Sequence, residues 1–241
     1  MNVSDWEFSF GGSDSRLAGT PSFREPTIVR LATPLELLLH LAEDGMNDTS
    51  TQIQIQRRLE CDPVAKEWHK RRGKIGSMLH FGRYRKDGKY DEYHAAAAAV
   101  AAGTASEDQR ELVRGLDQEI AASEVIIPDG QVLFHGRGDR VLHASSSYPS
   151  FISTSLDPVV CVLHANKRRQ QKGPQAKAII YLLTIRGPLR AIWGNGGGLN
   201  EWELLLPTRL QCNETSSHEG TRFDVVNATI GEPDSPKPDA N

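Results

Sequence analysis

A chain of 241 residues with 38% hydrophobic and 24% charged side chains has the make-up of an ordinary soluble globular protein, long enough for one sizeable core or two small ones. Its formal net charge of −3 argues against a dedicated nucleic-acid binder, and no apolar run approaches the roughly 20 residues of a membrane span. Three widely spaced cysteines, Cys61, Cys161 and Cys212, contain no CxxC pair, so neither a disulfide framework nor a zinc site is indicated.

Residues 1–26 are rich in Ser and Gly, lack a basic segment followed by an apolar stretch, and are expected to stay flexible. Classical secretion is therefore not indicated, and such a leader is compatible with a non-cleaved type III export signal. Residues 27–125 read as a helical region. Thr33-Pro34-Leu35-Glu36 combines a capping-box acid with proline at the first helical position, and the run that follows stops at Gly45. "TQIQIQ", residues 51–56, alternates like a strand, and Asp62-Pro63 starts a helix through Trp68. "DEYHAAAAAVAAG" has very high helix propensity, and Ser106 opens an amphipathic helix carrying Leu112, Val113, Leu116 and Ile120. Basic clusters at 66–74, 83–89 and 167–172 read as solvated faces or as sites for an anionic ligand.

After Pro128-Asp129-Gly130 the texture changes, and residues 126–231 form an α+β unit. Strands are expected at "QVLFHG", "SFISTS", "AIIYLLTI", "LRAIW", "WELLL" and "RFDVVNATI", with a short helix capped by Asp157-Pro158 between the second and third. The tail, residues 232–241, is Pro-rich, polar and expected to be disordered.

Within this unit Glu201 and Glu203 stand one residue apart. On a strand they would share one face while Trp202 and Leu204 take the other. An edge strand with two exposed acids is the bland account. The alternative is a cationic ligand or a perturbed carboxyl, and the Gly-rich loop "WGNGGG" that delivers the pair favours it. Other signals carry less. Arg137-Gly138-Asp139 is an adhesion triplet without context, "GNGGG" lacks the GKS or GKT of a phosphate loop, and the histidines lack metal-ligand spacing. Acids this close in sequence also fit poorly the separated pair of a glycoside hydrolase.

Taken in order, "SFISTSLDP", a short helix, "AIIYLLTI", a Gly-rich loop and "NEWELLLP" resemble the core of the arginine-modifying mono-ADP-ribosyltransferases, over roughly residues 110–230. Each motif alone is weak; the ordered set is strong. The resemblance implies a split β-sandwich core with a helical region beside it, and NAD as substrate. It implies Glu203 as the catalytic acid that holds the nicotinamide-ribose hydroxyl, and Glu201 as the group that orients an arginine acceptor and takes its proton. It implies that Ser153 fixes the catalytic Glu, that Thr154 and Ser155 support the strand end, and that Phe151 offers a ring to nicotinamide or belongs to the core.

One position departs from that pattern. Where the arginine-modifying type has Arg-Gly, this chain has His135-Gly136, as in the diphtheria-toxin and poly-ADP-ribose polymerase branch, where the His contacts ribose and the nicotinamide amide. A neutral imidazole cannot reproduce the guanidinium fork on a pyrophosphate, so Arg137 or a residue of the loop expected at 167–172 is the candidate for the missing charge. The resemblance implies a bacterial effector that modifies a host protein. An NAD glycohydrolase, a degenerate transferase that only binds, and an ordinary interaction domain stay open as alternatives.

Overall fold

The computed structural model describes residues 6–8, 30–43, 49–75, 77, 89–138, 146–148, 150–173, 176–194 and 201–233. Most of the leader, the 195–200 part of the Gly-rich loop, Asp139 of the adhesion triplet, residues 83–88 and the tail from 234 lie outside them. Helices are α1 (Pro34–Glu43), α2 (Thr49–Cys61), α3 (Pro63–Ile75), α4 (Tyr90–Ala101), α5 (Glu107–Ala121) and α6 (Pro158–Lys172). Strands are β1 (Trp6–Phe8), β2 (Arg30–Ala32), β3 (Val125–Ile127), β4 (Val132–Arg137), β5 (Ser146–Ser147), β6 (Ile152–Ser155), β7 (Ala178–Arg186), β8 (Leu189–Trp193), β9 (Glu203–Leu206), β10 (Gln211–Glu219) and β11 (Phe223–Gly231).

Local chemistry accounts for the helix starts. Thr33 Oγ1 accepts from the Glu36 amide at 3.2 Å while Glu36 accepts from the Thr33 amide at 3.0 Å, a reciprocal box at the head of α1. Ser106 and Gln109 repeat the arrangement for α5. Asp157 caps α6 by accepting from the Val159 amide at 2.8 Å, with Pro158 in the first turn, and the helix runs on through Lys172.

Two expectations are corrected. Residues 51–56 are helical, because Thr51, Ile55 and Leu59 are buried at a spacing of four and the flanking Arg57, Arg58 and Glu60 favour a helix. The alternation of Ile53 and Ile55 misleads, since Ile53 is exposed. Residues 167–172 form the last turns of α6 and are not a loop.

Strand order in the main sheet is β3-β8-β9-β6-β4-β7-β11-β10-β5, and the pairing is antiparallel except between β7 and β11. Along most of this sheet the ladders are continuous. Between β4 and β6 a single rung, Phe134 opposite Ser155, joins two halves. The half formed by β8, β9 and β6 is buried on both faces. Its Trp193, Leu204, Leu206 and Ile152 join a core with Leu37, Leu41, Ile55, Leu59 and Trp68 of α1–α3. The alternate residues Ile192, Leu205 and Phe151 join a second core with Tyr93, Ala96, Leu116 and Ile120 of α4 and α5. Period-two alternation thus sends one face to each helical layer, which is why Leu204, Leu205 and Leu206 of β9 form an unbroken apolar run.

On the other half, α6 lies against β4 at a distance only glycine permits. A Cβ at Gly136 would collide with the Cys161 carbonyl oxygen and stand 3.0 Å from the Ala165 nitrogen. Gly136→Ala should therefore destabilise the protein by about 1–3 kcal/mol, read as a lower urea midpoint with an unchanged slope. An unaltered midpoint would mean that α6 is not held at this distance.

Candidate active site

The divergence of β4 and β6 past their single rung opens a cavity of about 620 Å³, walled by both strands, α4, α6 and the segment carrying the two glutamates. His135, Gly136, Arg137, Phe151, Ser153, Thr154, Ser155, Glu201 and Glu203 all contribute to its lining. The sequence motifs are thereby brought together in one place.

Glu201 and Glu203 reach the same cavity, but not as two residues of one regular strand. β9 begins at Glu203, and the intervening Trp202 adopts a left-handed backbone with φ 47°. Three hydrogen bonds hold this kink. Ser155 Oγ donates to the Glu201 carbonyl at 2.6 Å, the Leu156 amide to the Trp202 carbonyl at 3.2 Å, and the Gly194 amide to the Glu203 carbonyl at 2.7 Å. Glu203 is 5% exposed, and its side chain lies so close over Gly194 that a Cβ there would sit 2.5 Å from the Glu203 Cβ. Glu201 stands nearer the rim, with its Oε1 3.3 Å from Nε2 of the exposed His164.

On β6, Thr154 Oγ1 donates to the Leu204 carbonyl at 2.8 Å and locks this strand to β9. Ser153 Oγ accepts from the Tyr90 hydroxyl of α4 at 2.8 Å, so the helical region closes one side of the cavity. Phe151 is buried in the second core, edge-on to Tyr93, and presents only part of its surface to the cavity.

His135 bridges the split. Its Nδ1 lies 2.6 Å from the Ser153 carbonyl oxygen, and because a carbonyl only accepts, the proton sits on Nδ1. Nε2 is then a bare acceptor, buried and without a partner among the described residues. The ring stacks on Tyr181 with centroids 5.9 Å apart. Burial first, and the Arg137 charge second, lower the His135 pKa to about 3, so the ring is neutral at physiological pH. His94 of α4 is held in the same way, lowered to about 4 by burial and then by Arg137, with Nδ1 2.9 Å from Ser150 Oγ.

The cations come from the next positions. Arg137 follows His135 on the same face of β4 and donates to the Tyr148 hydroxyl at 2.6 Å, and Arg168 of α6 lines the cavity. Burial raises the Cys161 thiol far above its ordinary range, which excludes it as a nucleophile at neutral pH. Among the described residues no group of His, Cys, Asp and Glu is arranged to hold a metal ion, and no helix is long and apolar enough to cross a membrane.

Sequence reasoning missed Tyr90, His94 and His164, whereas Arg168 belongs to the 167–172 cluster already singled out as a source of positive charge. No local motif marks the three; they enter the site only because α4 and α6 pack beside the split.

The two neutral imidazoles have a consequence for acid stability. Their folded pKa values lie below the ordinary 6.5, so below that pH the unfolded chain binds protons that the folded chain does not. Stability is then fully present above pH 6.5 and is lost as pH falls toward 4. The loss is at most about 1.4 kcal/mol per pH unit for each ring. His94→Gln should flatten the dependence of Tm on pH between 6.5 and 4.5 relative to the unaltered chain; identical slopes would contradict this account.

No protein-family model matches the sequence, and no curated protein matches it. Solved structures do. ADP-ribosyltransferase Vis of Vibrio splendidus, in complex with an inhibitor, superposes with a TM-score of 0.51 at 15% identity over 82% of this chain and 90% of that one. C3stau2 from S. aureus, with NAD, gives a TM-score of 0.50 at 15% identity over 71% of this chain and 97% of that one. The split sheet with its flanking helices is the ADP-ribosyltransferase fold, an α+β architecture of the kind the ordered motifs implied.

Proposed function

We propose that this chain is a mono-ADP-ribosyltransferase that takes NAD as its substrate and transfers ADP-ribose to an arginine of a protein. The observation that carries the reading is the convergence of a buried Glu203, a rim Glu201, the Ser153 to Ser155 strand and a cationic Arg137 and Arg168 on one cavity of about 620 Å³. A neighbour of the same fold has been solved with NAD, which supports a dinucleotide as the occupant.

In this reading Arg137 and Arg168 neutralise the pyrophosphate, replacing the fork that His135 cannot provide. His135 Nε2 accepts a hydrogen bond from a ribose hydroxyl or an amide N–H. Glu203 binds the nicotinamide-ribose hydroxyl. As the glycosidic carbon–nitrogen bond breaks, the electron pair leaves with the nicotinamide nitrogen, and positive charge grows on the ribose ring beside the carboxylate. At about 4 Å and an effective dielectric near 20 that attraction is roughly 4 kcal/mol, or about a thousandfold in rate.

Glu201, closer to solvent, holds the incoming guanidinium, whose nitrogen attacks the ribose carbon and whose proton passes to the carboxylate as the new bond forms. Residues 126–231 supply the reacting groups, and residues 27–125 contribute α4 as a wall. The wider role, an effector carried into a host cell by a type III route and acting on a host protein, rests on the Ser- and Gly-rich composition of residues 1–26.

Purified protein incubated with labelled NAD and a host-cell lysate tests the reading. The unaltered chain should label protein and release nicotinamide, and Glu203→Gln should lower both by about a thousandfold. Glu201→Gln should abolish protein labelling while nicotinamide release persists, since water can replace the acceptor. Label on protein that survives Glu203→Gln, or no turnover together with no NAD binding, would overturn the proposal.

A further inference from the structure

We infer that Trp202 is a positioning residue, and that α3 of the helical region sets the geometry of the two glutamates by gripping it. The inference rests on the roles proposed above for Glu201 and Glu203, and it adds to them the element that aims the pair.

Trp202 is the residue between the two acids, and its side chain leaves the cavity by the opposite face of the sheet. There it is 3% exposed and stacks on Trp68 of α3, with ring centroids 4.5 Å apart and planes 29° apart. His69, the next residue of α3, meets the same indole edge-on at 4.6 Å and 90°. The indole is thus held by one ring stacked on it and a second ring perpendicular to it, and both come from one turn of one helix.

The backbone makes this grip consequential. A bulky residue at φ 47° is in a region that L side chains seldom occupy, so surrounding contacts must hold it there. Carbonyls 201, 202 and 203 are each tied down, by Ser155, Leu156 and Gly194. The only side chain of the three that does not enter the cavity is the one clamped by α3. Release of the indole would let φ and ψ of Trp202 relax out of the left-handed region, which turns the adjoining peptide planes and displaces the glutamates on either side. Trp68 Nε1 is buried without a hydrogen-bond partner among the described residues, a cost that Phe or Leu would avoid. What the indole supplies at this place is its face.

Three variants test the clamp: Trp68→Leu removes the stacking face, Trp68→Phe keeps an aromatic face, and His69→Ala removes the edge contact at an exposed position that the fold tolerates. Two readouts are taken on folded protein, the kcat and KM for nicotinamide release and the hydrogen-exchange protection of the Gly194 amide, which donates to Glu203. In Trp68→Leu kcat should fall at least about tenfold, with KM for NAD within about twofold, and Gly194 should exchange at least about tenfold faster. His69→Ala should shift both in the same direction by a smaller factor, and Trp68→Phe should restore most of both.

A residue that only fills the core would lower Tm without moving Gly194 protection or the ratio of kcat to KM. Unchanged kcat and unchanged Gly194 protection in folded Trp68→Leu would overturn the inference, as would the same result in His69→Ala if Trp68→Leu does not fold. Should the unaltered chain release no nicotinamide, the proposed function fails, and Gly194 protection still decides the clamp.

Discussion

The structure depends on one place where a sheet nearly comes apart. β4 and β6 share the single rung between Phe134 and Ser155, and beyond it their backbones diverge. Polar backbone groups exposed by that divergence need partners. One is found in the His135 imidazole, which reaches across the gap to the Ser153 carbonyl. The site is therefore a controlled failure of pairing, held open by an aromatic side chain and walled by helices on either side. A continuous ladder at this point would fill the space with interstrand hydrogen bonds and leave no cavity.

This origin explains the chemistry of the walls. The strands contribute small polar side chains and a buried carboxylate, while the interior cannot hold extra positive charge cheaply. Its two imidazoles stay neutral because burial disfavours their charged forms. Permanent cations sit where a guanidinium reaches solvent or a hydroxyl, as Arg137 does at Tyr148. Charge that a phosphate-bearing ligand requires is thus offered near the mouth, and the neutral acceptor of His135 lies deeper. The helical region is part of this design, since Tyr90 bonds Ser153 from one side and Trp68 holds Trp202 from the other.

Much of this was legible in the residues. The paired glutamates, the Ser-Thr-Ser strand and His135-Gly136 are local patterns, and the structure gathers them in one cavity. Helix starts at Thr33, Ser106 and Asp157 were legible because capping is decided within four residues. Other features were not. β10, "QCNETSSHE", carries no apolar alternation; it is a strand because its backbone pairs with β11, and most of its side chains point to water. "TQIQIQ" alternates over six residues, but the burial of Thr51, Ile55 and Leu59 over nine decides its state. The left-handed turn at Trp202 has no signal of its own, because a tryptophan at positive φ is held by contacts distant in sequence. Gly194 sits at the edge of a Gly-rich run, and its place beneath Glu203 has no local signal.

The central claim is that the cavity between β4 and β6 takes a dinucleotide, with the pyrophosphate carried by Arg137 rather than by a first-motif arginine. Calorimetric titration of the purified chain with NAD, repeated on Arg137→Ala, tests it most directly. The account predicts one saturable site on the unaltered chain, weakened at least about tenfold, or roughly 1.4 kcal/mol, by the substitution. Binding of equal strength in both proteins would contradict the assignment of Arg137, and the absence of any saturable heat from the unaltered, folded chain would contradict the claim itself.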